Sequence, residues 1–235
     1  MKINKLNLFK LSIFFLILIP SFNQKSFSHI EHYSNFNKLE MEVLRNNEVI
    51  GYNFYFFKRN GKETIVTNQI QFEVKLLGAT IFKVEGYAEE KYLDDQLVSF
   101  NSKTKQNNKE KFVNLSFDKE NKEFEIKGSS YTGKGSLDNV IGSWWNHKIL
   151  QANSQISPVS GSIKEQVVTF IKKEKIEQYG KIYNTDHFKL RSKDMSLPKD
   201  KLLDFDIWLD KKNSMIIRVS YSRMGDWEYR LKNFE

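Results

Sequence analysis

The sequence contains no cysteine. This absence excludes a disulfide-stabilised scaffold, a cysteine nucleophile, a thiolate zinc site and lipid attachment to an N-terminal cysteine. Proline is also scarce, with 3 residues in a chain of 235, and no linker rich in Pro, Gly or Ser divides the chain. Apolar residues still make up 40% of it and charged residues 28%. A disordered chain and a polytopic membrane protein are therefore excluded, and one folded domain with a hydrophobic core is expected.

A strong positive charge is also missing once the N-terminus is set aside. The net charge is +8, but residues 1–28 hold four lysines and no acid, so the other 207 residues carry 33 basic and 29 acidic side chains. The lysines of residues 29–235 are spread over predicted strand edges, where they discourage edge-to-edge pairing. We therefore expect no nucleic-acid partner. The four histidines lie far apart without metal-ligand spacing, so we expect no metal and no cofactor: His29, His32, His147 and His187.

The first 28 residues have the pattern of an export signal. Three lysines precede an apolar run at residues 11–19 (LSIFFLILI), and small residues follow at Ser26 and Ser28. This order predicts a signal peptide, residues 1–28, that is removed before His29 and sends the protein to the periplasm of a Gram-negative cell. The alternative is an uncleaved membrane anchor, although the run is shorter than the roughly 20 residues needed to span a bilayer. No second apolar run approaches that length.

Residues 29–235 are predicted to form a single, mainly antiparallel β domain. Leu39, Met41 and Val43 alternate with charged residues, which is typical of a half-buried strand. Two-residue turns are expected at residues 46–47 (NN) and 94–95 (DD), and a tight hairpin at Asn60-Gly61. After the midpoint, strands are expected at residues 166–172, 176–183, 186–191, 202–209, 215–221 and 227–231.

A different pattern occupies the middle of the chain. Val140, Ile141, Trp144, Trp145 and Ile149 recur at helical spacing, which predicts a short helix or irregular bridge near residues 137–150. Adjacent tryptophans on a helix point about 100° apart, so only one can face the sheet. Because it is in step with Val140, Trp144 is expected to be the buried residue, with Trp145 nearer the rim.

Aromatic residues are abundant at 14% of the chain, and they suggest a binding site. Residues 48–58 are apolar on both faces, which is typical of a strand that is covered on both sides. Two interpretations remain open: the aromatic side chains fill a packed core, or some of them line an apolar pocket on a concave sheet face. The candidate ligand-binding residues are Tyr52, Phe54, Phe56, Phe72, Trp144, Trp145 and His147.

Four segments carry a family resemblance: residues 95–100 (DQLVSF), 143–146 (SWWN), 205–212 (FDIWLDKK) and 223–231 (RMGDWEYRL). They resemble a bacterial family of exported proteins known only as a domain of unknown function, and the wider group with the periplasmic lipoprotein-carrier fold. The resemblance spans residues 36–234. It implies a strongly curved antiparallel half-barrel whose open side is plugged by helices or loops. Some members of that group carry acyl chains and one branch is enzymatic without a cofactor, so the resemblance assigns no residue a role.

Three functions follow as hypotheses. The first is a non-enzymatic periplasmic binder or carrier of an apolar ligand, such as a lipid or an acyl chain. The second is an envelope module that binds a protein partner. The third is a small cofactor-free enzyme that uses His147 and Asp226 as acid and base. The sequence does not determine an oligomeric state.

Overall fold

The computed structural model describes residue 33 and residues 35–235, so the predicted signal peptide, residues 1–28, lies outside the described residues. The described chain is almost entirely β-structure, with one 3₁₀ turn at His147–Leu150. Its strands are β1 (Lys38–Arg45), β2 (Glu48–Asn60), β3 (Glu63–Leu76), β4 (Ala79–Leu93), β5 (Gln96–Gln106), β6 (Lys109–Asp118), β7 (Glu123–Gly128), β8 (Thr132–Ser136), β9 (Val140–Ile141), β10 (Ser154–Ile156), β11 (Ile163–Gln178), β12 (Lys181–Ser192), β13 (Asp204–Asp210), β14 (Met215–Ser222) and β15 (Asp226–Phe234).

All of these strands belong to one sheet, in the order β8-β7-β6-β5-β4-β3-β2-β1-β15-β14-β13-β12-β11-β10-β9. Neighbours are antiparallel except for the short β9–β10 pair. Strands β8 and β9 lie at opposite ends of this order, yet only residues 137–139 connect them. Three residues reach only about 10–15 Å, so the sheet must curl until its two edges come close. The predicted all-β fold, a strongly curved antiparallel sheet, is therefore confirmed, and it is open rather than a closed barrel.

The two edges of the sheet are not paired as strands, but side-chain and loop hydrogen bonds connect them. Ser130 N donates to Ser160 O at 3.0 Å, and Asn139 Nδ2 donates to Ser154 Oγ at 2.5 Å. Gly128 permits this close approach, because a Cβ there would lie 2.5 Å from Ser160 O. The curled sheet therefore has a well-defined inner face, and its core lies on that face.

Local turn chemistry explains most of the strand boundaries. Asn46 and Asn47 have φ of 50° and 66° and connect β1 to β2, which confirms the predicted turn, since asparagine tolerates positive φ. Residues 94–95 join β4 to β5 in the same way. The β2–β3 hairpin loop is Gly61-Lys62, one residue later than predicted, with Gly61 at φ 57°.

The bridge between the two halves of the sheet is irregular, and the helical interpretation of residues 137–150 is wrong for most of that range. Val140–Ile141 is the short strand β9, which pairs with β10. Gly142 N then donates to Ile156 O at 3.0 Å. Because these groups bond to a neighbouring strand, the first part of the bridge cannot form the i to i−4 bonds of a helix. Within residues 137–150, helical structure is limited to the 3₁₀ turn at His147–Leu150.

The C-terminal strands are longer than the sequence suggested. Residues 163–192 form one hairpin of two long strands, β11 and β12, instead of three short ones. The turn is Tyr179-Gly180, where both residues have positive φ. Across residue 33 and residues 35–235, no helix is long and apolar enough to cross a membrane.

Candidate functional site

A cavity of about 620 Å³ lies between the inner face of the sheet and the bridge. Ligand pockets generally fall between about 300 and 1,000 Å³. Its walls are mainly apolar and come from β3, β4, β5, β14 and β15, together with the bridge. Residues that represent these elements are Phe72, Val84, Ala88, Phe100, Trp144, Tyr221, Trp227 and Tyr229.

One strand shows how the sequence builds this wall. In β4, Val84, Gly86, Ala88 and Glu90 all line the cavity, because alternate residues of a strand point to the same face. At about 3.4 Å per residue, Val84 and Glu90 lie roughly 20 Å apart along the strand. The cavity is therefore elongated, and it is long enough for an extended chain-like ligand.

Four aromatic rings, which we call the aromatic plug, pack together next to Glu90, a residue that lines the cavity: Tyr33, Phe57, Tyr92 and Trp145. Trp145 lies at the centre, with its ring centroid 5.3 Å from Tyr33, 5.4 Å from Phe57 and 5.9 Å from Tyr92, in edge-to-face contacts. All four side chains are buried. Edge-to-face packing of this kind is favourable for aromatic rings, so the plug is a tightly packed cluster.

A buried carboxyl group lies between the plug and the cavity. Glu90 is 3% exposed, and it accepts hydrogen bonds from Trp145 Nε1 at 2.9 Å and from the Tyr92 hydroxyl at 2.5 Å. Burial raises the pKa of Glu90 to about 7, although the two donors lower it in part. The inner end of the cavity therefore carries an acid that titrates near neutral pH.

Further polar groups are embedded in the walls, and most of them already have partners. Asn68 Nδ2 donates to Asn53 Oδ1 at 2.5 Å, and Asn53 Nδ2 donates to the Tyr55 hydroxyl at 3.0 Å. Trp144 N also donates to that hydroxyl, at 3.2 Å, which ties the bridge to β2. The pKa of Tyr229 is raised well above its usual value by burial, so its hydroxyl remains protonated.

The structure separates the residues that the sequence grouped as a ligand site. Phe72 and Trp144 line the cavity. Trp145 belongs to the plug, and His147 lies beyond the plug, where its Nδ1 is 3.0 Å from the Tyr33 hydroxyl in a hydrogen bond. The expected burial of the tryptophans is therefore wrong: Trp145 is 1% exposed and Trp144 is only half-buried. Trp144 was expected to share a helix face with Val140, four residues earlier. Because the bridge is not a helix, this spacing does not place the two side chains on the same face.

The other three candidates lie on the outer face of β2. Buried Asn53, Tyr55 and Phe57 mark the inner face of that strand, so the alternate residues Tyr52, Phe54 and Phe56 point outward. Tyr52 stacks on Phe54 with centroids 4.4 Å apart, and Lys38 Nζ lies 5.2 Å from the Phe54 centroid. None of the three lines the cavity.

The two residues suggested for catalysis do not meet at the cavity. His147 is beyond the plug, as described above. The Asp226 carboxylate is exposed at the start of β15 and accepts from Ser222 Oγ at 2.7 Å. Neither residue lines the cavity, so the geometry gives no acid–base pair there.

Sequence reasoning missed Glu90, although a signal was present. Residues 82–92 alternate between two faces, and Phe82, Val84, Gly86, Ala88 and Tyr92 share one of them with Glu90. A single carboxyl group in an otherwise uncharged series is the pattern of a buried functional acid. The cavity-lining arginines, Arg45 and Arg223, had no comparable signal in the sequence.

The chain is similar to known proteins in sequence and in structure. The model of one family, a domain of unknown function (DUF6134), matches residues 41–232. A β-barrel-like protein of the domain of unknown function DUF1849 from Brucella abortus aligns with a TM-score of 0.56 and 9% identity, over 84% of this chain and 95% of that one. A candidate exported protein with a YmcC-like fold from Bacteroides fragilis aligns at 9% identity and a TM-score of 0.35, over 84% and 94%.

A search of curated proteins finds no match to the chain. The Brucella structure supports the fold alone, because its sequence identity is low. The predicted resemblance to a family of unknown function is confirmed by the match over residues 41–232.

Proposed function

The chain belongs to this DUF6134 family of unknown function, and we propose that it is an exported protein that binds an apolar ligand, such as a lipid or an acyl chain, without catalysis. The observation that carries the proposal is the elongated apolar cavity of about 620 Å³. Folded proteins seldom leave this much apolar space empty, because their interiors are closely packed. Burying an acyl chain there would remove its apolar surface from water, which is favourable.

The cavity differs between its two ends. Glu90 bonds to the aromatic plug at one end, whereas the lining is exposed at Met224, so a ligand can enter there. Hydrogen bonds from Trp144 N and Asn53 Nδ2 to the Tyr55 hydroxyl fix the bridge against the sheet. We therefore expect the cavity to keep its shape without a ligand. A preformed cavity loses little conformational entropy when a ligand binds.

The test is uptake of a fluorescent fatty acid by delipidated protein, together with native mass spectrometry of protein purified from the periplasm. Ala88→Phe places a ring in the middle of the cavity and should reduce uptake at least tenfold. Ala79→Phe adds the same ring at an exposed position at the start of β4, and it should leave uptake unchanged. Protein that carries no amphiphile and takes up no probe would contradict the proposal.

Export is tested on the same preparation. N-terminal sequencing of the periplasmic protein should begin at or within a few residues of His29, because signal peptidase cleaves after small residues such as Ser26 and Ser28. Recovery of the full-length chain in the membrane fraction would refute cleavage.

A further inference from the structure

We infer that the open end of the cavity binds an anionic head group, so that the ligand is an amphiphile whose single acidic group, a carboxylate or a phosphate, is held by Arg45 and Arg223. This inference rests on the proposed function and specifies its ligand. Three apolar residues that line the cavity are exposed: Ile81 (50%), Tyr87 (48%) and Met224 (90%). Met224 is the most exposed of them, and two arginines lie beside it: Arg223 precedes it in the chain, and Arg45 donates a hydrogen bond to its carbonyl group. The cavity therefore meets solvent at Met224 and these two arginines.

Arg45 is held at this opening by the β14–β15 turn. Its Nη2 donates to Met224 O at 2.5 Å, and its guanidinium carbon lies 5.9 Å from the centre of the Trp227 ring. Gly225 leaves the space for it, since a Cβ at that position would lie 3.1 Å from Arg45 Nε. The guanidinium is therefore positioned by a carbonyl and a ring, and neither of them neutralises its charge.

Arg223 is held in a similar way on the other side of Met224. Its Nη2 donates to Leu202 O at 3.0 Å and to Lys199 O at 3.3 Å. Within residue 33 and residues 35–235, neither Arg45 nor Arg223 has a carboxylate at ion-pair distance. Three other arginines do have one: Arg191, Arg218 and Arg230.

A further basic residue, Lys164, lies near Arg223. Its Nζ donates to Lys201 O at 3.3 Å. Burial lowers the pKa of Lys164, and the charge of Arg223 lowers it further, whereas Asp200 acts in the opposite direction. Two guanidiniums with unused N–H donors can bind a carboxylate or phosphate with charge-assisted hydrogen bonds.

The opposite end of the cavity fixes the orientation of the ligand. Glu90 lies about 20 Å along β4 from Val84, and the donors beside it, Trp145 Nε1 and the Tyr92 hydroxyl, already bond to its carboxyl group. Among the described residues that line the cavity, the basic side chains are Arg45 and Arg223, so an acidic head group beside Glu90 would have no cation to pair with. The tail therefore lies toward Glu90 and the aromatic plug, and the head group lies at Arg45 and Arg223.

The experiment compares three probes of equal chain length on delipidated protein: palmitate, hexadecyl phosphate and neutral hexadecanol. Each displaces a neutral fluorescent probe, and a dissociation constant is measured at low and high NaCl. Wild-type protein should bind at least one acidic probe about tenfold more tightly than hexadecanol. The tighter of the two acidic probes identifies the head group, and added salt should weaken its binding but not that of hexadecanol.

The double variant R45Q/R223Q should lose this preference while its affinity for hexadecanol changes less than about threefold. Arg191→Gln is the matched control, because Arg191 is exposed and does not line the cavity. Equal binding of all three probes by wild-type protein, or an acid preference that survives in the double variant, would overturn the inference and leave the proposed function standing. Failure of all three probes to bind would instead refute the proposed function.

Discussion

Replacing Glu90 with glutamine should remove a loss of stability that the delipidated protein undergoes between pH 5 and pH 8. The Glu90 carboxyl group is buried between the cavity and the aromatic plug, where Trp145 Nε1 and the Tyr92 hydroxyl donate to it. Burial raises its pKa from an ordinary value of 4.5 to about 7. The folded protein therefore binds a proton at Glu90 over a pH range in which the unfolded chain has released it.

The sign and size of the effect follow from this difference. A carboxyl group whose pKa is raised by folding favours the folded state fully below the unfolded value of 4.5, and this contribution is lost as the pH rises toward the folded value of about 7. One pKa unit corresponds to about 1.4 kcal/mol. The whole loss is then about 3 kcal/mol, and most of it falls between pH 5 and pH 8.

Urea unfolding of the wild type and of Glu90→Gln at four pH values between 5 and 8 provides the test. Groups that do not touch residue 90 contribute equally to both proteins, so the difference between the two curves isolates residue 90. Glutamine offers Trp145 a neutral acceptor, so the variant should keep its fold. From pH 5 to pH 8 the variant should gain about 2–3 kcal/mol of stability relative to the wild type. Parallel curves, within about 0.5 kcal/mol, would refute the argument that Glu90 is buried as an acid.

Two further predictions concern packing and turn geometry. Trp145→Ala should cost about 3–5 kcal/mol in urea unfolding, because it opens a hole in the aromatic plug, whereas half-buried Trp144→Ala should cost clearly less; equal losses would show that the plug is not a packed unit. Gly61→Val should cost about 1 kcal/mol or more, since valine is strained at φ 57°, whereas Lys62→Val, whose φ is not positive, should cost less. An unchanged melting temperature for Gly61→Val would contradict this.

The fold was largely accessible from the sequence because its signals are local. Alternation at Leu39, Met41 and Val43 marks β1, and two asparagines that tolerate positive φ mark the turn after it. Such patterns act within a few residues, so they can be read without knowing the rest of the molecule. The register was less secure, as the hairpin loop at Gly61-Lys62 shows, because a shift of one residue changes little in a local pattern.

The site was much less accessible. Strand β2 is apolar on both faces, so its hydrophobic pattern does not indicate that Tyr55 and Phe57 point inward and that Tyr52 and Phe54 point outward. Which face is inner depends on how the whole sheet curls, and that is a property of fifteen strands together.

The bridge makes the same point about long-range contacts. Its apolar residues recur at helical spacing, yet Gly142 N bonds to Ile156 O of a neighbouring strand, and this contact decides that the segment is not a helix there. The sequence by itself determined that the protein is a meander of amphipathic strands with its turns at defined residues, because hydrophobic alternation and turn chemistry are local. Only the tertiary structure placed Glu90 next to the plug and brought Arg45 and Arg223 to the same cavity, because these residues are distant in the chain and the sheet must curl before they line one space.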